Sequence, residues 1–161
     1  MINNKILYFT YGSNMSKSDL DLWCKKKGYK EIKIYSKLKT VLYGYELSFN
    51  YYSTTRKAGA ANIMDNHNEY VIGLLYELDN EGFIKIAEKE GSPNYYSEIK
   101  VKIRFDGKEL ENISTFKVTK GKEKSTFQKP TEDYMSLIIS AAEENNFDRA
   151  YIDKLKSIPT L

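Results

Sequence analysis

The most informative part of the chain is the stretch Tyr8-Phe9-Thr10-Tyr11-Gly12-Ser13-Asn14-Met15. It completes an apolar run over residues 6–9, which is typical of a buried β-strand, and it leads into residues 16–26, which have the pattern of a helix. The turn formed by Gly12, Ser13 and Asn14 presents backbone N–H groups that have no acceptor inside the following helix. Because such groups can hold a carboxylate or a developing oxyanion, we identify this turn as a candidate binding site.

Length and composition predict one domain, spanning residues 1–161. A chain of 161 residues and 18.7 kDa is large enough for a single core. Its 25 basic and 22 acidic residues are interspersed, so we expect no binding to nucleic acid, which usually needs a concentrated basic surface. No apolar run is long enough to cross a membrane, and no signal segment precedes the first predicted strand. The single cysteine, Cys24, excludes an intramolecular disulfide, and we expect a cytoplasmic protein.

Predicted helices and strands follow one another along the rest of the chain. We expect a helix over residues 16–26, with Ser16 as its N-cap and Gly28 at its end. The further predicted strands cover 31–38, 41–51, 59–64, 69–78, 95–105 and a last segment through Val118, and the further helices cover 81–90, 132–145 and 148–157. The polar residues 65–68 are predicted to form a hairpin turn between two of these strands. This order predicts the α+β class, as a small mixed β-barrel with helices packed outside it.

Glu90 is the strongest candidate for an acid or base. A helical projection at about 100° per residue places it on the same face as three apolar residues, Phe83, Ile86 and Ala87. Burial without a cationic partner would raise the pKa of this carboxyl toward the range that suits general acid–base catalysis. Geometry alone leaves a second interpretation equally open, in which the last helical turn frays and Glu90 lies at the rim. Glu88, on the opposite face, is predicted to be a solvated surface charge.

Tyr134 is a second candidate, which can be derived from helical periodicity. It is followed at positions i+3, i+4 and i+7 by Leu137, Ile138 and Ala141, so the tyrosine is predicted to face inward at the start of its helix. Core packing, with the hydroxyl bonded to a backbone group, explains this pattern as well as ligand binding does.

The sequence offers little support for other kinds of site. His67 is the single histidine and lies in the polar segment 65–68, which argues against a Ser-His triad. No Cys and His cluster has the spacing of metal ligands, so we expect no metal. Two short basic runs, Arg56-Lys57 and residues 25–27, are predicted to be solvated surface.

Four motifs, in this order, resemble those of the γ-glutamylcyclotransferase-like family. They are the stretch Tyr8-Phe9-Thr10-Tyr11-Gly12-Ser13-Asn14-Met15, the pair Gly59-Ala60-Ala61-Asn62-Ile63-Met64 and Val71-Ile72-Gly73-Leu74-Leu75-Tyr76, the run Glu90-Gly91-Ser92-Pro93-Asn94-Tyr95-Tyr96 with the strand after it, and Pro130-Thr131-Glu132-Asp133-Tyr134. Together they cover nearly the entire chain.

The resemblance implies an activity and a set of roles. Glu90 would be the catalytic acid and base, and the γ-glutamyl group of a small-molecule substrate would be held by Tyr8, Phe9, Thr10, Tyr11, Gly12, Ser13, Asn14 and Tyr134. The α-amine of the substrate would attack its own γ-amide carbon, releasing 5-oxoproline and an amine without a metal or organic cofactor. The resemblance also allows a homodimer. One departure is Phe116, which stands where some members carry a tyrosine.

Two classes of function are consistent with these motifs. The first is a cyclising enzyme, and the second is a non-catalytic module that binds a small molecule or a partner on the same barrel. An ionisable Glu90 inside the cavity favours the enzyme, because a binding module has no need of it. The leaving group is left open as an amino acid, a peptide or an amine.

Overall fold

Five strands form a closed β-barrel in the structure, a computed structural model that describes residues 4–161. The strands are β1 (Ile6–Thr10), β2 (Ser36–Ser53), β3 (Ala58–Leu78), β4 (Tyr96–Phe105) and β5 (Lys108–Val118). Their order around the barrel is β1-β3-β2-β4-β5, and neighbours are antiparallel except β1 and β5, which pair in parallel where Tyr8 meets Ser114. The predicted α+β class and mixed barrel are therefore confirmed.

The helices are α1 (Lys17–Lys27), α2 (Asn80–Lys89), α3 (Glu132–Glu144) and α4 (Arg149–Lys156), and one 3₁₀ turn covers Ser13–Met15. Side chains cap three of the helices at their first turn. Ser16 accepts a hydrogen bond from the Asp19 N–H in α1, as predicted, and Asp79 and Thr131 do the same for α2 and α3. The contacts of α2 with β1 and β3, and of α3 with the 3₁₀ turn, bring both helices to the end of β1.

The prediction of separate strands over 31–38 and 41–51 was wrong. Residues 31–35 are not part of a strand, although the Tyr35 N–H donates to the Glu77 carbonyl at 2.9 Å, and β2 is one strand of 18 residues that begins at Ser36. Ile32 is buried and packs against Gly82 in α2, so the alternating pattern of this segment reflects packing against a helix.

The prediction of a hairpin turn at residues 65–68 was also wrong, because these residues lie within β3, a single strand of 21 residues. Tyr43 pairs with Tyr70 and Tyr45 pairs with Asp65, so that Gly44 alone stands opposite residues 66–69. The polar segment is therefore a bulge in a long strand, and Gly44 adopts a φ of 87°, which few other residues tolerate. The chain reverses instead at residues 54–57, between β2 and β3.

A second bulge interrupts the pairing of β2 with β3. Ser48 pairs with Asn62 and Tyr51 pairs with Ala60, so Phe49 and Asn50 together face Ala61. The carbonyl groups of Phe49 and Asn50 accept hydrogen bonds from the N–H groups of Gln128 and Lys124, at 2.7 and 2.6 Å. The loop between β5 and α3 is thereby attached to the bulge, and the N–H and C=O of Ala61 become available to side chains.

The close approach of β1 to β3 depends on a residue without a side chain. An added Cβ on Gly73 would lie 2.3 Å from the Thr10 carbonyl oxygen and 2.6 Å from the Phe9 ring. This approach fixes the end of β1, and with it the turn that follows.

Gly73→Ala should lower the free energy of unfolding by about 1–3 kcal/mol, because the methyl group would push β1 away from β3. Urea denaturation measures the loss. Gly12→Ala is the control, since its Cβ would meet Ala61 and Tyr134 only at 3.5 Å. Equal stability of the two variants would contradict this account of the β1–β3 contact.

Candidate active site

A narrow polar pocket lies where β1, the 3₁₀ turn, α2 and α3 meet. Its cavity is about 20 Å³, room for about one water molecule. Glu90 lines it together with seven of the eight predicted binding residues, which are Tyr8, Thr10, Tyr11, Gly12, Ser13, Asn14 and Tyr134. The remaining lining residues are Ala61, Tyr96 and Phe116. The pocket therefore brings together predicted site residues that are far apart in the sequence.

Phe9 is the exception among the predicted binding residues. Its side chain is fully buried and does not line the pocket. Successive side chains of a strand point to opposite faces, so Tyr8 and Thr10 face the pocket while Phe9 packs beside Gly73 in the core. The prediction that Phe9 contacts a substrate is corrected to a packing role.

The turn after β1 has free hydrogen-bond donors. Its carbonyl groups are used, because Gly12 accepts from the Met15 N–H at 3.0 Å and Ser13 accepts from the Ser16 N–H at 2.9 Å. The N–H groups of Gly12, Ser13 and Asn14 have no backbone acceptor within residues 4–161. The turn can therefore donate to an anionic group in the pocket.

Glu90 directly follows the last residue of α2. Its Oε1 accepts a hydrogen bond of 3.2 Å from the side-chain amide of Asn14, and the same amide donates to the Tyr8 hydroxyl at 3.1 Å. Burial raises the pKa of Glu90, while the nearby charges of Lys89 and Arg56 act in the opposite direction. The carboxyl is thus held inside the pocket, but it has cationic neighbours that the sequence did not predict.

Lys89 and Asp19 form an ion pair beside Glu90. The Nζ of Lys89 lies 3.1 Å from Asp19 Oδ2 and donates to the amide oxygen of Asn14 at 2.8 Å, and its side chain is only 8% exposed. Asn14 therefore accepts from a cation on one side of its amide and donates to Glu90 on the other. These two bonds fix the orientation of the amide group.

Arg56 also belongs to the site, and its prediction as solvated surface was wrong. Its Nη2 donates to the Ser13 hydroxyl at 3.2 Å and lies 3.8 Å from Asp19 Oδ2. The guanidinium lies 4.5 Å from the centre of the Tyr134 ring, in cation–π geometry. Lys57, the next residue, is exposed as predicted.

Two tyrosines hold the peptide groups of Ala61 at the second bulge. The Ala61 N–H donates to the Tyr134 hydroxyl at 3.0 Å, and the Tyr96 hydroxyl donates to the Ala61 carbonyl at 2.6 Å. Burial raises the pKa of both phenols, so they remain neutral hydrogen-bond donors. Because the Tyr134 oxygen accepts from Ala61, its own proton is left for a ligand. Tyr96 lies within the third motif, but its sequence pattern predicted no role for it.

Phe116 does not interrupt the polar contacts of the pocket. Its ring stacks on Phe83, with 5.7 Å between centroids, and the Tyr11 hydroxyl donates to its carbonyl oxygen at 2.5 Å. The hydrogen bond uses the backbone, so it does not depend on a hydroxyl at position 116.

The narrow pocket opens into a cleft of about 720 Å³. Ser13, Glu90, Tyr96 and Tyr134 line both spaces, so Glu90 lies at their junction. Another pocket, of about 340 Å³ around Phe127 and Tyr151, is mostly apolar and has no carboxylate in its lining. The junction at Glu90 is therefore the better candidate for chemistry.

Within residues 4–161, no three or more His, Cys, Asp and Glu side chains are grouped as metal ligands. His67 is exposed. The helices of this part of the chain are all too short or too polar to span a membrane.

A family model described as the AIG2-like family matches residues 70–155, more than half of the chain. The chain belongs to the AIG2-like family. The matched region of this AIG2-like chain contains Glu90, Tyr96 and Tyr134, whereas the turn of Gly12, Ser13 and Asn14 lies outside it. No curated protein sequence matches the chain.

Solved structures share the fold at low sequence identity. A structure named gamma-glutamyl cyclotransferase is 24% identical, with a TM-score of 0.80, over 98% of this AIG2-like chain and 89% of the other. An uncharacterised protein from Homo sapiens is also 24% identical, with a TM-score of 0.80, over 99% and 90% of the two chains. YkqA from Bacillus subtilis is 22% identical, with a TM-score of 0.77, over 99% of this chain and 57% of YkqA. These likenesses confirm the predicted γ-glutamylcyclotransferase-like fold.

Lys89→Met should raise the pKa of Glu90, because it removes a cation that favours the carboxylate and leaves the Asp19 charge less compensated. The titration midpoint of the Glu90 side-chain carbon, followed by NMR, measures the change. Lys85→Met is the matched control, since Lys85 lies on the same helix and bonds to Glu81 and the Lys30 carbonyl. An unchanged or lower midpoint in Lys89→Met would contradict the assigned electrostatics.

Proposed function

We propose that the protein is a γ-glutamylcyclotransferase, which releases 5-oxoproline and a free amine from a γ-glutamyl compound. The observation that carries this proposal is the position of Glu90. A carboxyl with a raised pKa stands at the junction of a polar pocket and an open cleft, opposite a turn with free N–H groups. The AIG2-like membership and the shared fold support the same assignment.

The proposed substrate occupies both the narrow pocket and the wide cleft. The narrow pocket, at about 20 Å³, is smaller than a γ-glutamyl group, so the substrate extends from it across the junction. The γ-amide then lies beside Glu90, and the leaving group lies in the cleft of about 720 Å³. The free N–H groups of the turn and the Tyr134 hydroxyl are the donors that can hold the α-carboxylate and the γ-carbonyl oxygen.

The reaction needs one proton carrier and no external nucleophile. Glu90 takes a proton from the α-ammonium group, and the amine nitrogen attacks the γ-carbon to close a five-membered ring. The oxyanion that forms accepts hydrogen bonds from the turn or from Tyr134. Glu90 then gives its proton to the leaving nitrogen, and the original carbon–nitrogen bond breaks. The ring nitrogen loses its second proton to the departing amine, which leaves as an ammonium group. A tethered amine held in this way can reach an effective molarity of roughly 10⁵–10⁸ M.

The surroundings of Glu90 suit both proton transfers. Burial favours the neutral acid, while Lys89 and Arg56 favour the carboxylate. Because these two effects oppose each other, Glu90 can accept a proton in one step and return it in the next.

The purified protein should release 5-oxoproline from at least one compound in a panel of γ-glutamyl amino acids, peptides and amines, without added metal. Chromatographic detection of 5-oxoproline measures the product. If folded protein gives no product across the panel, the chain is a binding module on this fold. Free glutamate as the product would indicate hydrolysis and exclude cyclisation.

Glu90→Gln should lower kcat by roughly 10²–10⁴, the usual contribution of a positioned acid and base. Its thermal stability at pH 8 should be equal or higher. Because the folded-state pKa of Glu90 is raised, its carboxylate destabilises the fold increasingly as pH rises above the unfolded-state pKa, and the amide removes this penalty.

Glu81→Gln is the matched control, because Glu81 is exposed on the same helix and pairs with Lys85. Glu88, on the same helix, is a less suitable control. It is exposed, but it accepts a hydrogen bond from Tyr29 and lines the cleft. Wild-type turnover in Glu90→Gln, or an equal loss in Glu81→Gln, would remove Glu90 from the mechanism.

A further inference from the structure

Arg56 stands on the side of the site where the leaving group would lie. It belongs to the turn between β2 and β3, and it lines the wide cleft but not the narrow pocket. Its partner Ser13 lines both. If the γ-glutamyl group extends from the narrow pocket across the junction at Glu90, the guanidinium meets whatever is attached beyond the γ-amide.

The guanidinium of Arg56 has donors to spare. It carries five N–H groups, and within residues 4–161 its side chain makes one hydrogen bond, to the Ser13 hydroxyl. The Asp19 carboxylate, at 3.8 Å, is beyond hydrogen-bond distance, and the Arg56 side chain is 32% exposed. The Tyr134 ring holds the guanidinium without using any donor. A carboxylate arriving from the cleft can therefore form the two parallel bonds that a guanidinium favours.

The other cations of the cleft are less suited to this task. Lys89 is almost fully buried and bonded to Asn14 and Asp19. Lys26 is exposed on α1, where a flexible, hydrated ammonium gives little specificity. The cleft is also lined by four acidic residues, Asp19, Glu88, Glu90 and Asp133, so its overall charge does not attract anions. Recognition of a carboxylate would depend on Arg56 itself.

We propose that Arg56 is a specificity residue that binds a carboxylate of the leaving group, so that the protein prefers γ-glutamyl amino acids and peptides to γ-glutamyl amines. This inference rests on the proposed function, since it takes the γ-glutamyl group to lie across the junction of the narrow pocket and the cleft.

The test compares γ-glutamyl-alanine with γ-glutamyl-alaninamide, which differ only in the terminal carboxylate. The wild-type protein should favour the acid in kcat/KM on the order of 10- to 100-fold, the scale of a hydrogen bond to a charged group. In Arg56→Gln the ratio should fall to about one, and in Arg56→Lys it should be intermediate because the charge remains and the paired donors are lost.

The controls separate recognition from folding and from the charge effect on Glu90. Lys57→Gln, at the adjacent exposed position, should keep the wild-type ratio. Thermal unfolding establishes that each variant is folded. If Arg56→Gln does not fold, the test is made with Arg56→Lys. The acid-to-amide ratio is taken at the pH optimum of each variant, because loss of Arg56 also raises the pKa of Glu90 and moves the acidic limb of the pH profile upward.

Calorimetric binding of both compounds distinguishes failure of this inference from failure of the proposed function. Binding of the acid that depends on Arg56, without turnover of either compound, would overturn the cyclotransferase assignment and support the role of Arg56. Turnover with equal preference for acid and amide, or a ratio that survives in Arg56→Gln, would overturn the role of Arg56 alone. Neither binding nor turnover would overturn both.

Discussion

The site depends on how the peptide groups of Ala61 are satisfied. The bulge at Phe49 and Asn50 takes Ala61 out of the regular ladder between β2 and β3, in a buried position. A buried N–H or C=O without a partner costs about 1–3 kcal/mol, so each group requires a bond. Tyr134 from α3 supplies one and Tyr96 from β4 supplies the other. One irregularity in the sheet thereby connects a helix, two strands and the wall of the pocket.

A second set of contacts places charge around Glu90. Asn14 is its centre, because it bonds to Glu90, Tyr8 and Lys89 through its side chain and accepts from the Tyr76 hydroxyl through its carbonyl group. Asp19 lies behind this group and pairs with Lys89. The first turn of α1 thus supplies the anion that holds a buried cation near the carboxyl. The surroundings of Glu90 are therefore set by groups from the 3₁₀ turn, α1 and α2, and the first two of these elements are more than 60 residues away from it in the sequence.

Features that depend on local sequence patterns could be predicted. Features that depend on contacts between residues distant in the sequence could not. The cap at Ser16, the helix that ends within one residue of Glu90 and the inward face of Tyr134 follow from spacing along one element. The polar segment 65–68 has the composition of a turn, but its pairing with β2 keeps it in a strand. Arg56 reaches Ser13 across 43 positions and Lys89 reaches Asn14 across 75, and a basic residue carries no local sign of such a partner. The first motif places Phe9 among the binding residues, but the alternation of side chains along β1 directs its ring into the core.

Closure of the barrel by β1 and β5 has a consequence for the order of folding. The Thr115 hydroxyl donates to the Phe9 carbonyl across 106 positions, and Tyr11 reaches Phe116 across 105. Such distant partners must wait for a large loop to close, which makes this step slow relative to formation of the helices. During synthesis β1 leaves the ribosome long before β5, and until they meet, the edges of both strands are open to other chains. The pocket is complete only once this seam between β1 and β5 has closed, since Tyr8 and Thr10 of β1 and Phe116 of β5 all line it.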